Sequence, residues 1–130
     1  QIKQEKLEQV SVINDVSDSD LASAYAHALC LLSPSLMEGF GLTALEGLAL
    51  SCIPVVSDIP AFHEVCGEGA LYFNPTSPKS LVEKLEYIES IEPKKKQALL
   101  DAGRERLAHF SWKEMAEQTL AIYQSCAAAK

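Results

Sequence analysis

The segment Glu38-Gly-Phe-Gly-Leu-Thr-Ala-Leu-Glu46 contains the residue types from which a site for anions and hydroxyls can be built. Gly39 and Gly41 flank Phe40 between an apolar run and a helical stretch, and small residues there let a ligand approach the backbone. A helix starting at this point aims unpaired N–H groups and the positive end of its dipole at the same spot, which suits a diphosphate. Carboxylates bracket the loop, Glu38 before the glycines and Glu46 in the first turns of the helix. Carboxylates accept hydrogen bonds from hydroxyls and repel phosphate. The layout therefore fits a ligand with phosphate in the middle and hydroxyl-rich rings at both ends, as in a nucleotide sugar.

Other chemistries find less support. There is no Gly-x-Gly-x-x-Gly and no Gly-x-x-x-x-Gly-Lys-Ser/Thr, so neither a dinucleotide fingerprint nor a P-loop is present. Cys30, Cys52, Cys66 and Cys126 form no Cys-x-x-Cys pair and have no histidine at zinc spacing, so no metal site is expected. The four read as small buried hydrophobes in a reducing compartment. His63 beside Glu64 could form a catalytic pair, but its place on a short helix after Pro60 favours a surface role. His27 and His109 read as surface or packing residues, and Trp112 and Tyr123 as core or docking residues of the last helix. Glu46 has a structural alternative, because Thr43 three residues earlier gives the spacing of a capping box.

The elements that must hold this segment follow from the hydrophobic pattern. Apolar runs at Val10–Ile13, Cys30–Ser33, Ile53–Val56 and Ala70–Phe73 predict four strands. Helical stretches lie between them: Ser17 with Asp20 opens one through Ala28, Thr43 one to about Leu50, and Pro60 a short one through Val65. Uniformly apolar strands alternating with helices indicate an α/β domain with a Rossmann-like parallel sheet covered on both faces. After Asn74-Pro75 the chain turns all-helical. Ser77-Pro78 caps a helix carrying Leu81, Leu85 and Ile88 on one face, Pro93 starts a second through about His109, and Ser111 caps a third. The α/β part thus runs over about 10–75 and the helical part over about 77–126.

At 130 residues the chain has room for a single domain or part of one, since domains usually hold about 100–150 residues. Hydrophobic residues at 48% and charged residues at 22% are the balance of a globular chain. The net charge of −7 argues against nucleic acid as a partner, and Lys94–Lys96 reads as a solvated helix start. No apolar run approaches the ~20 residues of a membrane span, and Gln1–Lys6 is too polar for a secretory leader, so a cytoplasmic location is expected.

Ser33-Pro-Ser35, Glu38-Gly-Phe-Gly-Leu42, Glu46 and Pro54-Val-Val56 together resemble the Glu-x7-Glu signature of the retaining GT-B glycosyltransferases called glycosyl transferases group 1, or family 4. Asp58–Glu64, Ala70–Pro75 and Phe110-Ser-Trp112 resemble later blocks of that family, and the likeness runs from Val10 to Tyr123. It implies part of the C-terminal, donor-binding domain of a GT-B enzyme that moves a sugar from a nucleotide diphosphate sugar to an acceptor. In that role Glu38 is the catalytic carboxylate, holding donor-sugar hydroxyls and stabilising charge near the anomeric centre. Glu46 takes the ribose hydroxyls, and the backbone of Gly39, Phe40, Gly41, Leu42 and Thr43 contacts sugar and diphosphate. The backbone around Asn14 and Val16 lies beside the nucleobase.

No metal or other cofactor is implied. A nucleotide-sugar epimerase of the same overall fold, or a non-catalytic assembly module, are the alternatives. Departures from the family pattern are equally specific. Asn14 and Cys52 stand where glycines are usual, and Asn tolerates left-handed backbone better than Cys. Members also carry two further strands with an Arg and a Lys that neutralise the diphosphate, and an N-terminal acceptor domain. The implied partners are therefore the donor, that acceptor domain or a complementing chain, and a second copy joined through open sheet edges. A chain of this content is expected to be inactive alone, and its parent to be cytoplasmic or peripheral at a membrane.

Overall fold

The computed structural model describes residues 9–128. In chain order the elements are α1 (Asp18–His27), β1 (Leu31–Ser33), α2 (Leu42–Ala49), β2 (Pro54–Ser57), α3 (Pro60–Cys66), a 3-10 turn (Gly67–Gly69), β3 (Leu71–Phe73), α4 (Pro78–Glu89), α5 (Pro93–Leu107) and α6 (Trp112–Ala128). The strands form one three-stranded parallel sheet in the order β1-β2-β3. Leu31 pairs with Pro54 and Val55 with Leu71, so all carboxyl ends lie on one side. Pro54 is the first residue of its strand, where a missing N–H does least harm to the ladder.

Neighbouring Val55 and Val56 point to opposite faces of the sheet and both are fully buried, so both faces of β2 are covered. One core joins Val56 to Ala44 and Leu48 of α2 and to Phe62, Val65 and Cys66 of α3, with Leu31, Tyr72 and Leu107 packed against it. Ile88 of α4 is buried as its periodicity predicts. Serine caps are where they were expected: Ser17 accepts from the Asp20 N–H, Ser77 from Ser80 and Ser111 from Glu114.

Val10–Ile13 is not a strand. Its residues lie in irregular, exposed backbone, with Val12 61% and Ile13 76% accessible. A strand exists only by hydrogen bonding to a neighbour, and among the described residues nothing pairs with this run. Among the described residues β1 has no neighbour on its outer edge, and Leu29 and Leu32 are accessible. Coverage of both faces therefore holds at β2 and lapses at β1.

The last helix departs in the same direction. None of the residues of α6 is buried, and Trp112, Ile122 and Tyr123 are exposed, so the expected core role for Trp112 and Tyr123 does not hold. The cysteines divide likewise. Cys52 and Cys66 are buried and Cys30 half-buried, whereas Cys126 on α6 is exposed. Burial pushes the Cys66 thiol up to about 11, with Arg106 opposing the shift.

Two close approaches fix the α5 side of the core. A Cβ on Gly69 would stand 2.6 Å from the Gly103 Cα, whereas one on Gly103 would meet the Leu48 Cδ2 at 2.7 Å. Backbone cannot yield as a leucine methyl can. Gly69→Ala is therefore expected to lower unfolding free energy by about 2–3 kcal/mol and Gly103→Ala by less, in urea denaturation.

Helix α2 ends with Ser51 at φ 59°, while the Cys52 N–H bonds to the Gly47 carbonyl at 2.8 Å and the Ser51 N–H to Leu48 at 3.1 Å. This is a Schellman closure with serine where glycine is usual. Left-handed backbone accordingly falls on Ser51 and, before α1, on Asp15, and not on Cys52 or Asn14. Ser51→Gly should stabilise the fold by about 1 kcal/mol, read as a higher urea midpoint at unchanged slope.

Candidate functional site

The glycine segment follows the carboxyl end of β1, on the side of a parallel sheet where ligands of such folds bind. At the neighbouring strand ends Ser57 donates to the Ser33 carbonyl at 3.5 Å, tying β2 to β1 just before the segment. The chain then turns into α2 through Gly41, whose φ is 99°. The positive φ favours glycine, and a Cβ there would also crowd the Phe62 ring at 3.1 Å. Gly39 differs. Nothing lies within 4 Å of where its Cβ would be, so no internal packing demands a glycine.

Because Gly41 is the N-cap, α2 starts at Leu42, and Thr43 lies inside its first turn. The expected capping box of Thr43 and Glu46 is therefore absent. The Gly41 carbonyl takes the Ala44 and Leu45 N–H groups at 3.0 and 3.3 Å, which starts the helix before Thr43 could cap it. Among the described residues, the N–H groups from Gly39 to Thr43 donate to no protein acceptor. They form a run of free donors at a positive helix end.

Each flanking carboxylate is held by one neutral hydroxyl. Ser35 donates to Glu38 Oε1 at 2.6 Å in a half-buried setting. Tyr25, from α1, donates to Glu46 Oε2 at 3.4 Å. Burial raises the Tyr25 hydroxyl above its ordinary pKa, and the adjacent Glu46 charge adds to the rise. Neither carboxylate forms a salt bridge among the described residues.

Phe40 packs edge-to-face on Phe110, with ring centroids 5.6 Å apart. The Arg106 guanidinium lies 5.2 Å from the Phe110 centroid and donates through Nε to the Glu64 carbonyl at 2.9 Å. The glycine loop is thus braced from the end of α5. A cavity of about 660 Å³ opens on the outer face of α2, between Leu42 and Leu45 on one side and Phe110, Trp112 and Met115 on the other, and Glu46 and His109 also line it.

Asn14 and Val16 lie in exposed backbone just before α1, and no hydrogen bond joins them to the glycine segment among the described residues. His63 pairs with Asp58 at 2.6 Å, not with Glu64, and stacks on Tyr72 with centroids 4.0 Å apart. His27 bonds to the Ser23 carbonyl. Among the described residues no three His, Cys, Asp or Glu side chains gather as a metal site, and no helix is long and apolar enough to cross a membrane.

Sequence reasoning assigned no role to Tyr25, Ser35 or Phe110. Ser35 and Phe110 stood within the blocks quoted above, and only their contacts reveal what they hold. Tyr25 reaches Glu46 from another helix, a contact that spacing along the chain does not signal.

The family model for glycosyl transferases group 1 matches residues 1–106. The chain is 40% identical over 84 residues to the O-antigen chain mannosyltransferase RfbU of Salmonella typhimurium, covering 65% of this chain and 24% of that protein. It is 33% identical over 122 residues to the MMP alpha-(1->4)-mannosyltransferase of Mycolicibacterium hassiacum, covering 92% of this chain and 30% of the relative. Among solved structures, the sucrose-phosphate synthase of Thermosynechococcus elongatus superposes with a TM-score of 0.83 at 26% identity, over 99% of this chain and 33% of that one. The matched part of the chain thus spans 24–33% of the length of these proteins. Sheet, glycine segment and sequence agree: the chain belongs to the glycosyl transferases group 1 family and has the α/β fold of GT-B glycosyltransferases.

Proposed function

We propose that this chain binds the nucleotide diphosphate sugar of a retaining sugar transfer. The observation that carries the reading is the run of N–H groups from Gly39 to Thr43 that are free among the described residues, at the start of α2 and flanked by two carboxylates with no cationic partner among those residues. The amides and the helix end suit the diphosphate, whose negative charge grows as the bond to the anomeric carbon breaks, so the same donors favour departure of the leaving group. Glu38 takes hydroxyls of the donor sugar and stabilises positive charge at the anomeric centre. Glu46 takes the ribose hydroxyls, and the loop at Asn14–Val16 lies beside the base. The mannosyltransferase names of two relatives make a mannosyl donor the first to test. No metal or cofactor enters this reading.

The acceptor is bound elsewhere, on a partner domain or chain. The exposed apolar side chains of α6 and of the region before α1 support such a partner, because large apolar groups that have no cover in a chain are surfaces for another. A second copy is the alternative occupant. The transfer would take place on the cytoplasmic side, where nucleotide sugars are available to such a domain.

Calorimetric titration with UDP-, GDP- and ADP-sugars, GDP-mannose among them, tests the reading. The chain should bind one donor class weakly, and Glu38→Ala and Glu46→Ala should each weaken it by about tenfold, the worth of a charge-assisted hydrogen bond. Equal affinity in all three proteins, or no binding of any donor, would remove the assignment.

Phe110→Ala removes the ring against which Phe40 packs. It should weaken the same donor by about threefold or more, as loss of an aromatic pair implies. Unchanged affinity would show that the loop holds its shape without the brace.

A further inference from the structure

We infer that Tyr25 is a positioning residue for the donor site: its hydroxyl orients Glu46 so that the free carboxylate oxygen meets the ribose. The inference rests on the ribose role given to Glu46 above. Tyr25 Oη lies 3.4 Å from Glu46 Oε2, and it is the sole protein partner of that carboxylate among the described residues. Oε1 is left open. On α1 every residue but Ala22 and Tyr25 is exposed, so the helix turns Tyr25 toward the body while its apolar Leu21 stays accessible.

The choice of a phenol has a physical consequence. A guanidinium would grip both carboxylate oxygens and cancel the charge, whereas a phenol O–H occupies one lone pair and leaves the charge in place. A glutamate exposed on a helix would otherwise lose much of its rotamer freedom when a ligand fixes it. A tyrosine ring with two side-chain torsions is cheaper to hold still. Ser35 treats Glu38 in the same way, with one hydroxyl on one oxygen. Both ends of the amide run thus carry a carboxylate held by a neutral donor. The loop of Asn14–Val16 leads directly into α1, so the helix that presents Tyr25 also continues from the backbone assigned to the base.

The test compares nucleoside diphosphates with their 2′-deoxy and 2′,3′-dideoxy counterparts, since only a ribose-directed role distinguishes them. UDP, GDP and ADP series are titrated into the parent chain, Tyr25→Phe and Glu46→Ala. In the parent the ribonucleotide should bind more tightly than its deoxy forms. Tyr25→Phe should weaken the ribonucleotide by about two- to tenfold and the dideoxy form hardly at all, moving the ratio toward that of Glu46→Ala.

A partly unfolded variant would lower binding of all forms together, leaving the ratio unchanged, so a fold defect cannot imitate the expected result. If Glu46→Ala removes the ribose preference and Tyr25→Phe keeps it, the inference about Tyr25 is overturned while the ribose role of Glu46 stands. If Glu46→Ala keeps the preference, the ribose role itself falls and takes this inference with it. Absence of binding by the parent counts against both.

Discussion

Gly41 is the constraint on which the site depends. Its φ of 99° strains any residue with a side chain, and a Cβ there would press on the Phe62 ring at 3.1 Å. Because the turn is made there, α2 begins at once, and among the described residues no side chain caps its first N–H groups. The same ring belongs to the core that joins α2, α3 and β2. The proposed ligand surface and a packing surface are therefore fixed by one contact. The bracing continues outward, from Phe40 to Phe110 and from Arg106 to the Glu64 carbonyl on α3.

Away from that contact the molecule is unevenly finished. Central β2 is buried on both faces, while β1 has an open edge and an accessible Leu32. Helix α6 buries none of its residues, and α1 touches the candidate site through Tyr25. Hydrophobic burial is worth about 25 cal/mol per Å² of apolar surface, so these faces hold stabilisation that the chain does not collect by itself. The proposed donor and partner surfaces share elements: α1 carries Tyr25, and the start of α6 lines the cavity beside Glu46.

What could be read in the residues follows from how local each signal is. Three apolar runs bounded by Pro, Ser and Asn became β1, β2 and β3, and Ser17, Ser77 and Ser111 became caps, because those choices are decided within a few residues. Val10–Ile13 carries the same strand signal and forms none, since pairing is decided by a neighbour and not by the run. Thr43 and Glu46 have capping-box spacing, yet the turn at Gly41 opened the helix first. The left-handed residues, Asp15 and Ser51, lie one position from the sites where glycine was expected, because the hydrogen-bond closure of the turn selects the residue. Periodicity marked Trp112 and Tyr123 as apolar helix positions but could not say whether anything covers them. The glycine segment stood out from its composition as a candidate ligand loop; its contacts with Tyr25 and Phe110 did not, because both join distant parts of the chain.

The most direct test of the account is to follow the backbone amides of the isotope-labelled chain by NMR as a nucleoside diphosphate is added. The account predicts that the resonances of Gly39, Phe40, Gly41, Leu42 and Thr43 move together and more than any others, with a single saturating dissociation constant. Shifts that leave those amides unmoved while others respond, or no response at millimolar ligand, would contradict it.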